Sequence, residues 1–139
     1  MRSPGSVRPV RVLIVEDSLA DVYLMTEALT TDCPITVELT AVKDGFEAES
    51  LLTSGPQFDL VILDLNLPKM SGLELLKKHK PSAPVVVFSC SWNKSDAERA
   101  ISFGAKEFVR KPLTYEAYVS AVCDIVTRWG HQPCCGSLA

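Results

Sequence analysis

Three short stretches of this chain are apolar at nearly every position: Arg11-Val-Leu-Ile-Val15, Phe58-Asp-Leu-Val-Ile-Leu63 and Pro84-Val-Val-Val-Phe88. A strand with one wet face alternates apolar and polar residues. A β-branched run without alternation suits a strand buried on both faces, and such strands belong to parallel sheets covered by helices. Helical patterns do follow each run. Ser18 is a candidate cap, after which Leu24, Ala28 and Leu29 recur at helical spacing up to the break at Asp32-Cys33-Pro34. Ile35 to Thr40 alternates, as a strand nearer a sheet edge does. Asp44-Gly45 is a turn, and Phe46 to Leu52 reads as a helix ended by Gly55-Pro56. The loop Asn66 to Gly72 precedes a short helix, Leu73 to His79, and Pro81 and Pro84 bracket a linker. Ser95 begins a helix to about Phe103 with Gly104 as its left-handed stop. Lys106 to Arg110 is a final strand, and Thr114 caps a helix to about Trp129. The order is β-α five times. It predicts an α/β, doubly wound (βα)5 sandwich with a five-stranded parallel sheet in the flavodoxin-like order 2-1-3-4-5. Five strands are too few for an eight-stranded barrel.

The chain has 139 residues, of which 41 are Leu, Val, Ile or Phe, enough for one packed core. Residues 1–9 read as a disordered lead-in, 10–129 as the domain and 130–139 as a flexible tail carrying Cys134 and Cys135. A net charge of −3 argues against a chain that coats nucleic acid. No apolar run approaches the ~20 residues that span a bilayer. The start, MRSPGSVRPV, lacks the apolar segment of a secretory signal, so a cytoplasmic location is expected. Five cysteines without a Cys-x-x-Cys pair, and two histidines, make structural zinc a poor fit. The cysteines are expected to be free thiols.

In an open α/β sheet, ligands bind outside the carboxyl ends of the strands, where the strand order reverses. The first strand ends in Glu16-Asp17, the third in Asp64, the fourth in Ser89 and the fifth in Lys111-Pro112. With strands one and three adjacent, three carboxylates converge beside a hydroxyl and an ammonium. Like charges brought together cost Coulomb energy unless a cation offsets it. Mg²⁺ fits, because it takes a few carboxylates and keeps several waters, whereas Ca²⁺ wants six to eight oxygens. The first β-α segment, Glu16-Asp-Ser-Leu-Ala-Asp21, has three acids and no glycine. It would repel a bare phosphate rather than cradle it.

Val15-Glu-Asp-Ser18, Leu63-Asp-Leu-Asn-Leu-Pro-Lys69 with Gly72, Phe88-Ser89 and Arg110-Lys-Pro112 stand in order at these strand ends. Together they resemble the receiver domain of two-component response regulators, over about Val10 to Trp129. Glu-Asp-Ser-x-Ala-Asp and Asp-Leu-Asn-Leu-Pro-Lys are most similar to the stand-alone regulators partnered with bacterial phytochrome kinases.

The resemblance implies that Asp64 is the phosphoacceptor nucleophile, attacking a phosphohistidine of a sensor histidine kinase, a phytochrome being the candidate. It implies that Asp17, Glu16, Asp64 and the backbone carbonyl of Asn66 hold Mg²⁺. Lys111 and Ser89 would bind the phosphoryl group, and Pro112 is a candidate cis-proline that would aim Lys111 inward. Ser89 and Phe108 would act as the switch, reshaping the surface of the fourth helix, fifth strand and fifth helix. Asn66 and Ser91 match positions that tune the lifetime of the acyl phosphate. The readout would be a downstream protein target or a phosphotransfer protein rather than DNA, since no DNA-binding output segment follows Trp129. Trp92 and Trp129 are candidate interface aromatics, with a homodimer expected. The chain would promote only its own phosphorylation and dephosphorylation. Two rivals remain. A phosphohydrolase with an aspartyl nucleophile needs an acid where Asn66 stands. A pseudo-receiver adaptor that takes no phosphate is expected to lose part of the acidic set or the lysine.

Overall fold

The computed structural model describes residues 8–78, 83–90 and 93–130. The expectations for His79, Pro81, Ser91, Trp92, Cys134 and Cys135 fall outside these residues. Strands β1 (Val10–Val15), β2 (Val37–Val42), β3 (Leu60–Leu63), β4 (Val85–Ser89) and β5 (Glu107–Arg110) form one parallel sheet in the order β2-β1-β3-β4-β5. Between and after them run α1 (Leu19–Glu27), α2 (Gly45–Ser54), α3 (Gly72–Lys78), α4 (Lys94–Ser102) and α5 (Tyr115–Trp129). Class and strand order are those expected from the sequence.

Successive side chains of a strand point to opposite faces, and here both faces are dry. Val12 and Ile14 of β1, Leu60 and Ile62 of β3, and Val86 and Phe88 of β4 pack beneath α1 and α5. The alternate residues Leu13, Val15, Val61, Leu63, Val85 and Val87 pack beneath α2, α3 and α4. Each such side chain contributes about 1.5–3 kcal/mol relative to exposure, which is why these runs carry no polar alternation. β2 is only half-buried and lies at the sheet edge, matching its alternating sequence.

The helix ends follow local chemistry. Ser18, Asp44 and Thr114 each accept a hydrogen bond from the backbone N–H three residues on. Asn93 does the same for Asp96, so α4 starts at Lys94, one residue earlier than Ser95 suggested. Gly104 ends α4 with φ at 115°. Its N–H reaches the Ile101 carbonyl and that of Ala105 reaches Ala100, a double closure that favours glycine at this position. After Glu27 the first helix widens into a π-helical turn, Ala28–Asp32, closed by Cys33 N–H on the Ala28 carbonyl at 3.1 Å. Thr26 and Thr30 hydroxyls each bond the carbonyl four residues back, and such back-bonding loosens a helix. Nothing in the apolar spacing reveals that turn. Arg8, placed in the lead-in by composition, forks onto Asp59 at 3.0 and 3.1 Å and ties the chain to the loop before β3.

Candidate functional site

The carboxyl ends of β1 and β3 lie side by side, because Val15 registers with Leu63. Backbone bonds fix the segments that follow: Glu16 N–H donates to the Val42 carbonyl and Asp64 N–H to the Val15 carbonyl. Glu16, Asp17 and Asp64 are thereby brought together, each offering a carboxylate oxygen within 4.8 Å of the others. Glu16 and Asp64 are buried and Asp17 is exposed. The donor set is entirely hard oxygen and opens to solvent at Asp17, which fits Mg²⁺ or Mn²⁺ holding several waters.

Lys111 enters from β5. Its backbone N–H donates to the Ser89 carbonyl, and its ammonium lies 2.7 Å from Glu16 Oε1, 3.1 Å from Asp21 Oδ2 and 3.5 Å from Asp64 Oδ2. The side chain is 5 % exposed. Every peptide bond among the described residues is trans, Lys111–Pro112 included, which corrects the candidate cis-proline. The trans form is the lower-energy one for X–Pro bonds, and strand pairing together with three carboxylates already turns Lys111 inward without the cis form.

Electrostatics follow from burial. Loss of water pushes the Glu16 carboxyl up to about 7, against the pull of Lys111, and the Asp64 charge adds to the push. Burial alone would depress the Lys111 ammonium, yet Glu16, Asp64 and Asp21 hold it above its ordinary value. Burial also pushes on Asp21, but a hydrogen bond from Tyr118 and the Lys111 charge bring its carboxyl below the usual range. The cluster thus holds more negative charge than one ammonium balances, the condition under which a divalent cation is welcome.

Ser89 Oγ is buried with no hydrogen-bond partner among the described residues. A buried orphan hydroxyl costs free energy, so it points to an acceptor that arrives with a ligand. Asn66 N–H donates to Asp64 Oδ1 at 3.1 Å, fixing the rotation of that carboxylate. Phe108 sits on β5 opposite Val87 and packs, half-buried, against the core on the α2–α4 side. Trp129 is half-buried and donates its indole N–H to Glu107 at 2.9 Å, so it is engaged within the fold.

The loop from β3 to α3 doubles back over Asp64. Gly72 N–H donates to the Leu65 carbonyl, and a Cβ at Gly72 would lie 2.6 Å from the Asp64 carbonyl oxygen and 2.8 Å from Leu65 Cα. Both are backbone atoms that cannot swing away. Gly72→Ala is expected to cost about 1–3 kcal/mol, as overpacking does, and to weaken Mg²⁺ binding by shifting Asp64. Urea unfolding and a metal titration check the two effects.

The Response regulator receiver domain family matches residues 12–123. The chain belongs to this family. It is 35% identical over 122 residues to Two-component response regulator ORR5 of Oryza sativa subsp. japonica, covering 84% of this chain and 88% of that protein. It is 33% identical over 138 residues to Response regulator Rcp1 of Synechocystis sp., covering 91% of this chain and 93% of that one. Among solved structures it is similar to the phosphorylated cyanobacterial phytochrome response regulator RcpA, with a TM-score of 0.81, 32% identity and coverage of 88% and 94%. The Mn²⁺-bound form of Rcp1 gives a TM-score of 0.78 at 31% identity, covering 94% of this chain and 98% of that one. A receiver is a phosphoacceptor of two-component signalling, not an enzyme acting on a separate substrate, and the pseudo-receiver reading is not favoured. The acidic trio, the lysine and the hydroxyl stand where the sequence placed them. Asp21, a third acid of the first β-α segment, and Tyr118, which no motif marks, join them. Both touch the site.

Proposed function

We propose that this chain is a phosphorylation-controlled switch in which Asp64 accepts a phosphoryl group from a histidine kinase. The observation that carries the reading is Asp64 itself, buried just after β3 beside Glu16 and Asp17, with the Lys111 ammonium 3.5 Å from its Oδ2. An Asp64 carboxylate oxygen attacks the phosphorus of a phosphohistidine. The P–O bond forms, the P–N bond breaks, and its electron pair returns to the imidazole nitrogen, which takes a proton. Glu16, Asp17, Asp64 and the Asn66 carbonyl would hold Mg²⁺, which supplies positive charge for the incoming phosphoryl oxygens. Lys111 neutralises further charge on the phosphoryl oxygens. Ser89 donates its hydroxyl to a phosphoryl oxygen, and Phe108 repacks as Ser89 moves, altering the surface of α4, β5 and α5.

The likeness to RcpA, a phytochrome response regulator, supports a phytochrome-type kinase as donor. Other expectations belong to the same reading: a downstream protein or phosphotransfer partner, a homodimer, loss of phosphate by attack of water beside Asn66, and a cytoplasmic setting. No helix among the described residues is long and apolar enough to cross a membrane.

Intact mass tests the reading. With Mg²⁺ and acetyl phosphate the chain is expected to gain about 80 Da, the mass of one phosphoryl group, as an alkali-labile adduct that EDTA prevents. Lys111→Met is expected to slow its formation by about 10²–10³-fold, the loss typical of a charge-stabilising donor. An adduct that forms equally fast in EDTA overturns the reading.

A further inference from the structure

We propose that Asp21, fixed by Tyr118, is a positioning residue that holds Lys111 when a divalent cation draws on Glu16 and Asp64; the inference rests on the receiver reading. The ammonium of Lys111 has three N–H donors and three carboxylate neighbours, Glu16, Asp21 and Asp64. Two of these neighbours also belong to the trio that converges on a metal position. Ammonium and cation therefore compete for the same oxygens. Asp21 stands outside the trio, in the first turn of α1, and answers to Lys111 without answering to the cation.

Its geometry is fixed from α5, which packs on the same face of the sheet as α1. Tyr118 of α5 donates its hydroxyl to Asp21 Oδ1 at 2.7 Å, while Oδ2 faces Lys111 at 3.1 Å. Tyr118 is 5% exposed and packs edge-on against Phe88, with ring centroids 5.3 Å apart. Lys111 lies over the other partner of that ring pair, 5.9 Å from the Phe88 centroid. Ring, phenol, carboxylate and ammonium thus form one chain from α5 through α1 to the end of β5. Without Asp21, Lys111 leans wholly on Glu16 and Asp64, and a cation must displace it. With Asp21 in place, those two carboxylates turn to the cation while the ammonium keeps a charged partner at the phosphoryl position.

Mg²⁺ titration by calorimetry on the full chain tests this, using wild type, Asp21→Asn, Tyr118→Phe, Lys111→Met and the double variant Asp21→Asn/Lys111→Met. Asp21→Asn is expected to weaken Mg²⁺ binding about fivefold, and Tyr118→Phe, which changes no charge, about two- to threefold, within the range of measured couplings between neighbouring side chains. In the Lys111→Met background the Asp21→Asn effect should vanish, because the competitor is gone. A full fivefold loss in that background would mean that Asp21 acts as a diffuse negative field, and the proposal fails. Wild-type affinity in Tyr118→Phe would also overturn it. That variant keeps the buried ring, so it stands as the test if circular dichroism shows Asp21→Asn unfolded. A wild type that takes up no Mg²⁺ would overturn the receiver reading itself, an outcome distinct from additivity among the variants.

Discussion

Asp64→Asn is expected to abolish the phosphoryl adduct and, in the same molecule, to raise the melting temperature of the metal-free chain. The first effect is chemical. An amide offers no carboxylate oxygen to attack phosphorus, so adduct formation falls below detection, at least about 10³-fold. The second effect is electrostatic. Asp64 and Glu16 are both buried, and their oxygens lie within 4.8 Å of each other. Two like charges at that range repel by roughly 3–4 kcal/mol at an effective dielectric of ~20. Lys111 returns much of this, at 3.5 Å from Asp64, but it sits closer to Glu16, at 2.7 Å. Neutralising Asp64 leaves the shorter pair intact. The amide oxygen also keeps the hydrogen bond from Asn66 N–H, so the loop keeps its shape. A net gain of about 1 kcal/mol, or about 3–5 °C in melting temperature, is the expected size. Calorimetry beside intact mass reads both. A variant that loses the adduct and also melts lower would mean that the Asp64–Lys111 attraction outweighs the repulsion within the trio.

The chemistry was legible in the sequence because strand ends are legible. Once Arg11–Val15, Phe58–Leu63 and Pro84–Phe88 read as doubly buried strands, topology dictates that whatever follows them meets at one edge. Glu16, Asp17, Asp64, Ser89 and Lys111 needed no further geometry to be grouped. What escaped depends on packing between elements distant in sequence. Asp21 and Tyr118 are 97 residues apart, and no periodicity connects a first-turn aspartate with a tyrosine that reads as an ordinary core residue of α5. The π-helical turn at Ala28–Asp32 escaped because hydrophobic spacing records which face is buried and not how tightly the backbone is wound. Gly72 stands in a motif, but its reason, two backbone atoms within 2.8 Å of an added Cβ, is a property of the closed loop. The proline after Lys111 suggested a cis bond because proline lowers the cost of one. The sequence cannot say whether the lysine needs that help.

Mg²⁺ is expected to stabilise the chain strongly, and more so at pH 8 than at pH 5.5. A ligand that binds only the folded state at a hundred times its dissociation constant adds about 2.7 kcal/mol, near 8–12 °C in melting temperature for a domain of this size. EDTA should reverse the shift. The pH arm follows from Glu16, whose carboxyl rises from its ordinary 4.5 to about 7 in the metal-free chain. A group raised in this way contributes stability that is fully present below about 4.5 and is lost as the pH climbs through 7. The metal-free melting temperature is therefore expected to fall between pH 5.5 and pH 8 as Glu16 ionises beside Asp64. Over the same window the proton stops competing for the oxygen that the cation uses, so the Mg²⁺-induced shift grows. The two trends have one cause, the cost of a charge on buried Glu16, set first by loss of water and then by the neighbouring Asp64 charge, and the cation offsets it. A shift of equal size at both pH values would place Glu16 outside the metal's reach, leaving Asp17, Asp64 and the Asn66 carbonyl as the binding set and making Lys111 the permanent partner of Glu16.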